Sequence, residues 1–470
     1  MLTILWFRRT LRRHDHPALA EAAARGPVLP AYILDPPHPI GGAGKWWLHH
    51  SLAALERDLA PLWYGIGDPA ELLPRLARES AAQYVFWSQG ITPEERKTDR
   101  AVQIALNRIG IDAKCFAGDL LFDPASTPIG TAGGTPYKVF TAYWRAASTH
   151  NVQQAKPPQP VQTIIQPGGL QLEELTLQPQ PDWASGWEQI WQPGERGAFS
   201  QLDQFLKQGF DQYEARRDYP SEPHISRLSP HLHWGELSIR LLWHRIHLTI
   251  AKSHADRDKF LSEVGWREFA HYLLHHWPTL TTQNWNAAFD HYPWRGDDTI
   301  QDDLTAWQRG MTGYPLVDAG MRELWQTGFM HNRVRMVAAS FLTKHLRIHW
   351  RHGLQWFADT LVDADEAANA ASWQWVAGSG ADAAPYFRIF NPVAQASKFD
   401  PEGTYIRRWV PELAKLPTSL IHAPIREGAR QRHLLSHAQS YPLPIVDHDK
   451  ARVAALDGFQ RMRGGSSTNI

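Results

Sequence analysis

The sequence predicts a two-part fold: an α/β domain with a doubly wound parallel sheet over residues 1–148, and a large all-α domain over 196–470, joined by a long connector at 149–195. Three observations predict it. Up to about Ala147, short apolar runs alternate with amphipathic segments of helical length, the pattern of a parallel sheet with helical crossovers. From about Thr149 to Gly194 that pattern stops: KPPQPVQTIIQPGG and LQPQPDW are rich in Pro and Gln with no sustained period, long enough to wrap over a surface. Beyond the connector, every periodic segment repeats its apolar residues at the three-to-four spacing of a helix.

Taken in order, LTILWF (2–7) reads as a buried strand. Asp15 begins a helix with Pro17 in its first turn, where a missing N–H costs nothing. VLPAYIL (28–34) is the next strand, Trp46 to Leu62 is amphipathic, and Pro69 to Ala81 is helical. YVFW (84–87) and AKCF (113–116) are short apolar strands that bracket a charged helix from Pro93. Parallel sheets of this kind bind ligands at the carboxyl ends of their strands. No GxGxxG follows the first strand and no Walker-type loop is present, so no nucleotide phosphate is signalled there. Gly133-Gly134 reads as a plain turn. Helices follow near 197–210, 227–252, 257–277, 302–309, 315–328, 329–348, 351–370 and 404–416.

Composition narrows the function classes. With 48 basic and 48 acidic residues the formal charge is zero, so any attraction to nucleic acid must come from a local patch. The single cysteine, Cys115, excludes an internal disulfide framework and fits a reducing compartment. No apolar run reaches membrane-spanning length and no signal-peptide pattern follows Met1, so a cytoplasmic protein is expected. The 24 histidines show no closely spaced ligand set, and no metal is expected. The 22 tryptophans, most of them after residue 180, are the unusual feature.

Chemistry gathers in the helical part. In DTLVDADEAANAASWQWVAGSGADAAPYFR (359–388), read as a helix, Asp365, Asn369 and Trp373 fall on one stripe at i, i+4 and i+8. A buried stripe is normally aliphatic, because a buried amide or carboxylate without a partner costs roughly 1–3 kcal/mol. Here the filler is Ala and Gly, which lets something flat and bulky approach the backbone. A solvated helix face with two tryptophans packed behind it explains the stretch equally well. In FMHNRVRMVAASFLTKHL (329–346), Asn332, Arg335 and Met336 share one face, and in FLSEVGWREFAHYLLHHWP (260–278) Glu263, Trp266 and Arg267 do the same. YEARRDYPSEPHISRLSPHLHWGELS (213–238) offers Ser226, Ser229 and helix-start amides that could hold an anionic group such as a pyrophosphate.

At these residues the sequence resembles the photolyase/cryptochrome family. The resemblance runs from WFRRTLRRHDHPAL through SRLSPHL, WREF, TGYPLVDAGMRELWQTGFMHNRVRMVAASFLTKHL and DADEAANAASWQWVAGSGADAAPYFRIFNP to KFDPEGTYIRRWVPEL, most of the chain in family order. It implies FAD held in a U-shape in the helical domain and a light-harvesting pigment on the α/β domain. Tyr213, Ser226, Leu228, Ser229, Trp266, Arg267, Asn332, Arg335, Asp363, Asp365 and Asn369 match flavin-contacting positions, with Asn369 facing the flavin N5 and Arg335 and Asp363 as a nearby ion pair. Ile225 stands where a Thr often begins the pyrophosphate-binding turn, which removes one hydroxyl.

Within the family the chain is most like bacterial class I-type members that repair cyclobutane pyrimidine dimers. Glu263, Trp266, Asn332, Met336 and Trp375 match the positions lining their dimer pocket, and with Asn369 they make up the implied catalytic set. A damaged base pair is cheap to flip out of the duplex, and a flipped dimer needs flat walls and a few hydrogen bonds. Trp373, Trp350 and Trp294 match the family's electron relay, and Arg217, Arg333, Arg388 and Lys398 match phosphate-holding positions at the pocket mouth. The implied reaction is light-driven electron transfer from reduced FAD to the dimer in damaged DNA, by a carbon-carbon lyase working as a monomer. A cryptochrome-like blue-light photoreceptor and a (6-4) photolyase are the alternatives, and a generic flavoprotein redox enzyme is a distant third. GGAGKWWLHHSL resembles the folate-associated segment of some relatives, which implies methenyltetrahydrofolate as antenna. The Asn-Glu pair of folate-binding photolyases reads Glu94-Glu95 here, so a deazaflavin or an empty site stays open.

Overall fold

A computed structural model describes residues 1–36, 40–250, 253–383, 387–424 and 440–465. The chain forms two compact units, Met1–Asp211 with Ser226–Pro278 and Val362–Ala367, and Gln212–Ile225 with Thr279–Leu361 and Ala368–Ile470.

The first unit is built on five parallel strands, β1 (Thr3–Phe7), β2 (Val28–Leu34), β3 (Trp63–Ile66), β4 (Tyr84–Ser88) and β5 (Asp112–Phe116), in the order β3-β2-β1-β4-β5. The central strand β1 pairs with β2 and β4, placing Leu5 opposite Pro30 on one side and Phe86 on the other. A strand covered on both faces is mostly apolar, and all five residues of β1 are buried, with Thr3 its one polar member. Trp6 and Trp87 fill one layer with Leu73, Leu76, Val102 and Leu106. Four of the strands are those expected from the sequence. The fifth, β3, escapes sequence reading because four residues are too few to show a period beside the amphipathic helix before them.

The crossovers are α1 (Pro17–Arg25), α2 (Gly42–Asp58), α3 (Pro69–Glu79) and α4 (Pro93–Asn107). Helix α1 starts later than expected: Asp15 is left-handed at φ 50°, and the cap is His16, whose Nδ1 accepts from the Leu19 N–H. Helix α4 opens on a capping box, in which Thr92 Oγ1 accepts from the Glu95 N–H and the Glu95 carboxylate accepts from the Thr92 N–H. Glu95 also pairs with Arg9 at 2.7 Å. Burial works against its charge, yet Arg9, Arg8 and the Thr92 and Ile91 amides hold its pKa down to about 2.

Several expected helices are broken. The one expected over 227–252 appears as Ser229–His233 and Ile239–Leu248. Gly235 lies between them at φ 64°, and a Cβ there would stand 1.8 Å from the Arg9 carbonyl oxygen, so only glycine fits. The one expected over 329–348 runs from Asn332 to Ser340 and then widens into a π-helical turn, Phe341–His345. The one expected over 351–370 splits into Trp350–Thr360 and Glu366–Ala377. Asp365 therefore precedes the helix that carries Asn369 and Trp373, rather than sharing its stripe. The last, expected over 404–416, is Thr404–Trp409 followed by a 3-10 turn, Pro411–Leu413. No helix among the described residues is long and apolar enough to cross a membrane.

Candidate functional site

In the first unit the short segment Val362–Asp365, between two helices, gathers donors. Trp234 Nε1–H donates to the Val362 carbonyl (3.2 Å) and Ser229 Oγ–H to Asp363 Oδ2 (2.6 Å). Asp365 Oδ2 faces His271 Nε2 at 3.1 Å and His233 Nδ1 at 3.7 Å. Burial opposes the Asp365 charge, but the two imidazoles outweigh it and hold the carboxyl well below the usual carboxylate range. Asp365 is thus an ionised, oriented acceptor. Upstream, Arg227 is left-handed at φ 52°, Gln201 Nε2 donates to the Ser226 carbonyl (2.9 Å), and Leu228 is buried. The Ser229 hydroxyl hydrogen is thus committed to Asp363.

Three more of the expected residues lie on the helix His254–His276. Glu263 pairs with Lys259 at 3.0 Å. Arg267 Nη1 donates to the Asp119 carbonyl (2.8 Å) and pairs with Glu268 at 3.1 Å. Glu268 in turn accepts the Leu121 and Phe122 N–H groups, although burial pushes its carboxyl up. Arg267 therefore anchors its helix to the loop after β5. Trp266, between them, is 37% exposed, like Trp183 and less than Trp325.

In the second unit, His331 caps the helix Asn332–Ser340 by accepting the Arg333 N–H on Nδ1 at 3.1 Å. Asn332 at its first position is exposed, and Met336 is half-buried. Arg335 Nε donates to the Met330 carbonyl (2.7 Å). Arg333 pairs with Asp218 and lies 4.4 Å over Phe399, Arg217 lies 5.3 Å over the buried Tyr213, and Arg388 lies 5.9 Å over Trp375. Trp375 Nε1–H is held by the Asp382 carbonyl at 3.0 Å. Lys398 is exposed, its Nζ 5.0 Å over Phe399. All four of these cations thus rest on aromatic faces.

Asn369 Nδ2 donates to the Leu354 carbonyl at 3.1 Å, which fixes the amide and leaves Oδ1 to accept. Trp373 is buried and packed against Gly353, where a Cβ would meet its ring at 2.0 Å, with Phe357 and Trp307 beside it at 5.0 and 6.2 Å. Trp350 begins that same helix, fully buried, its Nε1–H held by Asn284 Oδ1 at 2.8 Å. His349 bridges outward, 5.4 Å from Trp350 and 5.0 Å from the half-buried Trp294. At the far end of the helix Glu366–Ala377, buried Lys344 donates to the Ala377 carbonyl and lies 3.2 Å over Phe387.

His233, His271, His349 and Lys344 escaped sequence reading. Of these only His349 gave a signal, its place directly before Trp350. Among the described residues no group of three or more His, Cys, Asp or Glu is placed to hold a metal ion.

Residues 260–461 match the family model of the FAD binding domain of DNA photolyase, and residues 3–162 that of DNA photolyase. The deoxyribodipyrimidine photo-lyase of Agrobacterium fabrum is 46% identical over 98% of both chains. The crystal structure of a bacterial class III photolyase from Agrobacterium tumefaciens superposes with a TM-score of 0.93 at 45% identity, again over 98% of both chains. Cryptochrome-1 of Arabidopsis thaliana is 33% identical over 98% of this chain and 70% of its own.

Proposed function

The chain belongs to the photolyase/cryptochrome family, and from that premise we propose that it is a deoxyribodipyrimidine photo-lyase that repairs cyclobutane pyrimidine dimers in DNA. The observation that carries this reading is the half-exposed indole of Trp266, a flat apolar surface left open to solvent. In the purified, reduced protein, blue or near-ultraviolet light removes thymine dimers from an irradiated oligonucleotide, and darkness leaves them intact. Repair confined to (6-4) lesions, or none with fully reduced FAD, overturns the assignment, and the second outcome favours a photoreceptor.

The residues present fit FAD, since Asn369 is oriented with an acceptor free and Asp365 is held as a carboxylate. When bound, FAD supplies the light-driven electron that opens the cyclobutane ring and takes it back. We assign Tyr213, Ser226, Leu228, Ser229, Arg267, Arg335, Asp363, Asp365 and Asn369 to holding it. Trp266 and Trp375 give a flipped dimer flat apolar contact, Glu263 and Asn332 offer hydrogen bonds to its imide edges, and Met336 adapts around it. Arg217, Arg333, Arg388 and Lys398 hold phosphates.

Were FAD bound with its N5 toward Asn369, the free Oδ1 would accept from the N5–H that reduction adds. Asn369→Ser protein accordingly still binds FAD but with its two-electron reduction potential lowered by roughly 20 mV, the equivalent of about one hydrogen bond of 1 kcal/mol. Spectroelectrochemical titration checks this, and an unchanged potential removes Asn369 from N5.

We take 1–148 as the antenna-pigment domain, 149–195 as the connector and 196–470 as the FAD-binding catalytic domain of a cytoplasmic monomer. The likeness to a class III structure at 45% identity moves our proposal for the subclass from class I-type to class III. Methenyltetrahydrofolate is the pigment we propose, with a deazaflavin as the alternative. Glu95 is committed to its capping box and to Arg9, so it is not a ligand of either.

A further inference from the structure

The open ring of Trp266 has a built support. Phe140, the first residue of the helix Phe140–Ala147, lies against it with centroids 3.8 Å and planes 10° apart. Trp144, one turn on, lies parallel to Phe140 at 6.3 Å and 10°. Phe269 closes one side at a steep angle, 5.9 Å from both Phe140 and Trp266. Gly265 makes the close approach possible, since a Cβ there would meet the Trp144 ring at 2.5 Å. Phe140 itself is only 8% exposed, against 37% for Trp266, so one indole face is covered and the exposure belongs to the rest of the ring.

Aromatic pairs left to themselves settle at about 4.5–7 Å, offset or edge to face, because their quadrupoles repel in full overlap. A separation of 3.8 Å at 10° is nearly full overlap, so the two helices impose it. The energy well around the second side-chain torsion of a tryptophan is broad. An unsupported indole would therefore tilt, and stacking on it, about 1–3 kcal/mol per base, would weaken with the tilt.

We propose that Phe140 is a positioning residue for lesion binding: it sets the plane of Trp266 and keeps water from its covered face, so that the open face meets a flipped dimer already aligned. This rests on the assignment of Trp266 to the dimer. The residue lies in a stretch of the α/β part that carries no cofactor or phosphate motif, which is why sequence reading passed over it.

The test uses the full-length, FAD-loaded protein. Dissociation constants for dimer-containing and undamaged oligonucleotides are measured in the dark, with the single-turnover repair rate at saturating substrate. Phe140→Leu weakens dimer binding about fivefold, the value of about 1 kcal/mol for an aromatic pair. Binding of undamaged DNA and the saturated repair rate stay unchanged. Phe140→Met, which keeps the volume without the plane, gives the same loss, and Phe140→Tyr restores the wild-type value. Wild-type dimer affinity in both Leu and Met variants overturns the inference. So does a loss shared by undamaged DNA, FAD content and melting temperature, which would make Phe140 packing alone. If the wild-type protein itself does not prefer dimer-containing DNA, the reading of Trp266 falls and this inference with it.

Discussion

In Trp373→Phe protein, illumination no longer reduces oxidised FAD, while the same protein reduced chemically still repairs dimers. Trp373 sits one helical turn beyond Asn369 and is packed directly on Gly353, three residues after Trp350. Trp350 and His349 then lead toward Trp294, the most exposed of the three indoles. A phenyl ring is much harder to oxidise than an indole, so the substitution removes the first electron donor and leaves the path beyond it intact. The smaller ring leaves a cavity costing about 1–3 kcal/mol, which a protein of this size tolerates. Following the oxidised flavin spectrum under steady illumination with an external reductant decides it. Wild-type photoreduction in the variant ends the relay assignment, since a tryptophan that only packs would change stability and nothing else.

Acidification destabilises the fold through its buried histidines. Burial is the first cause that lowers three imidazoles: His16 to about 3, with Arg12 adding to it, His345 to about 3, with His448 adding to it, and His331 to about 4. All three are at most 4% exposed. Their folded pKa lies below the unfolded value of about 6.5, so the unfolded chain binds more protons once the pH falls below about 6.5. The stability held by the neutral rings is complete above that pH and is lost as the pH falls toward 4 and then 3. Each ring loses about 1.4 kcal/mol per pH unit, so the three together approach 4 kcal/mol at pH 5.5. Glu268 and Asp318, whose carboxyls burial pushes up, act in the opposite sense and flatten the slope. Urea midpoints between pH 7.5 and 5 check this, and the slope is shallower in His345→Asn, which removes one of the three. Midpoints independent of pH across that range contradict it.

What the sequence made legible follows from which signals are local. Strand β1 is readable because four apolar residues in a row, Ile4–Phe7, have one explanation, and α4 because a charged run of helical length follows Pro93. The helix expected over 351–370 fails for the opposite reason. Its apolar spacing is continuous, but the partners that draw Val362–Asp365 out of helical geometry, Trp234, Ser229, His233 and His271, lie about 90 to 135 residues earlier. The candidate residues are read residue by residue from a family pattern, which names Asp365 and Trp350 but not what holds them. His271 looks like any polar residue on an amphipathic helix until the fold sets it 3.1 Å from Asp365.

The six residues Val362–Ala367 belong to the first unit, although all the rest of that unit is complete by Pro278. Synthesis at about 5–20 residues per second needs roughly 20–70 s to reach residue 367. Until then Trp234, Ser229 and His271 wait without Val362, Asp363 and Asp365. A fragment stopped by a nonsense codon or a protease between 279 and 361 retains the whole sheet yet lacks these acceptors. With the acceptors of Trp234, Ser229, His233 and His271 goes part of what closes the first unit. Gene fusions or splits that treat the N-terminal part as a separable unit meet the same obstacle.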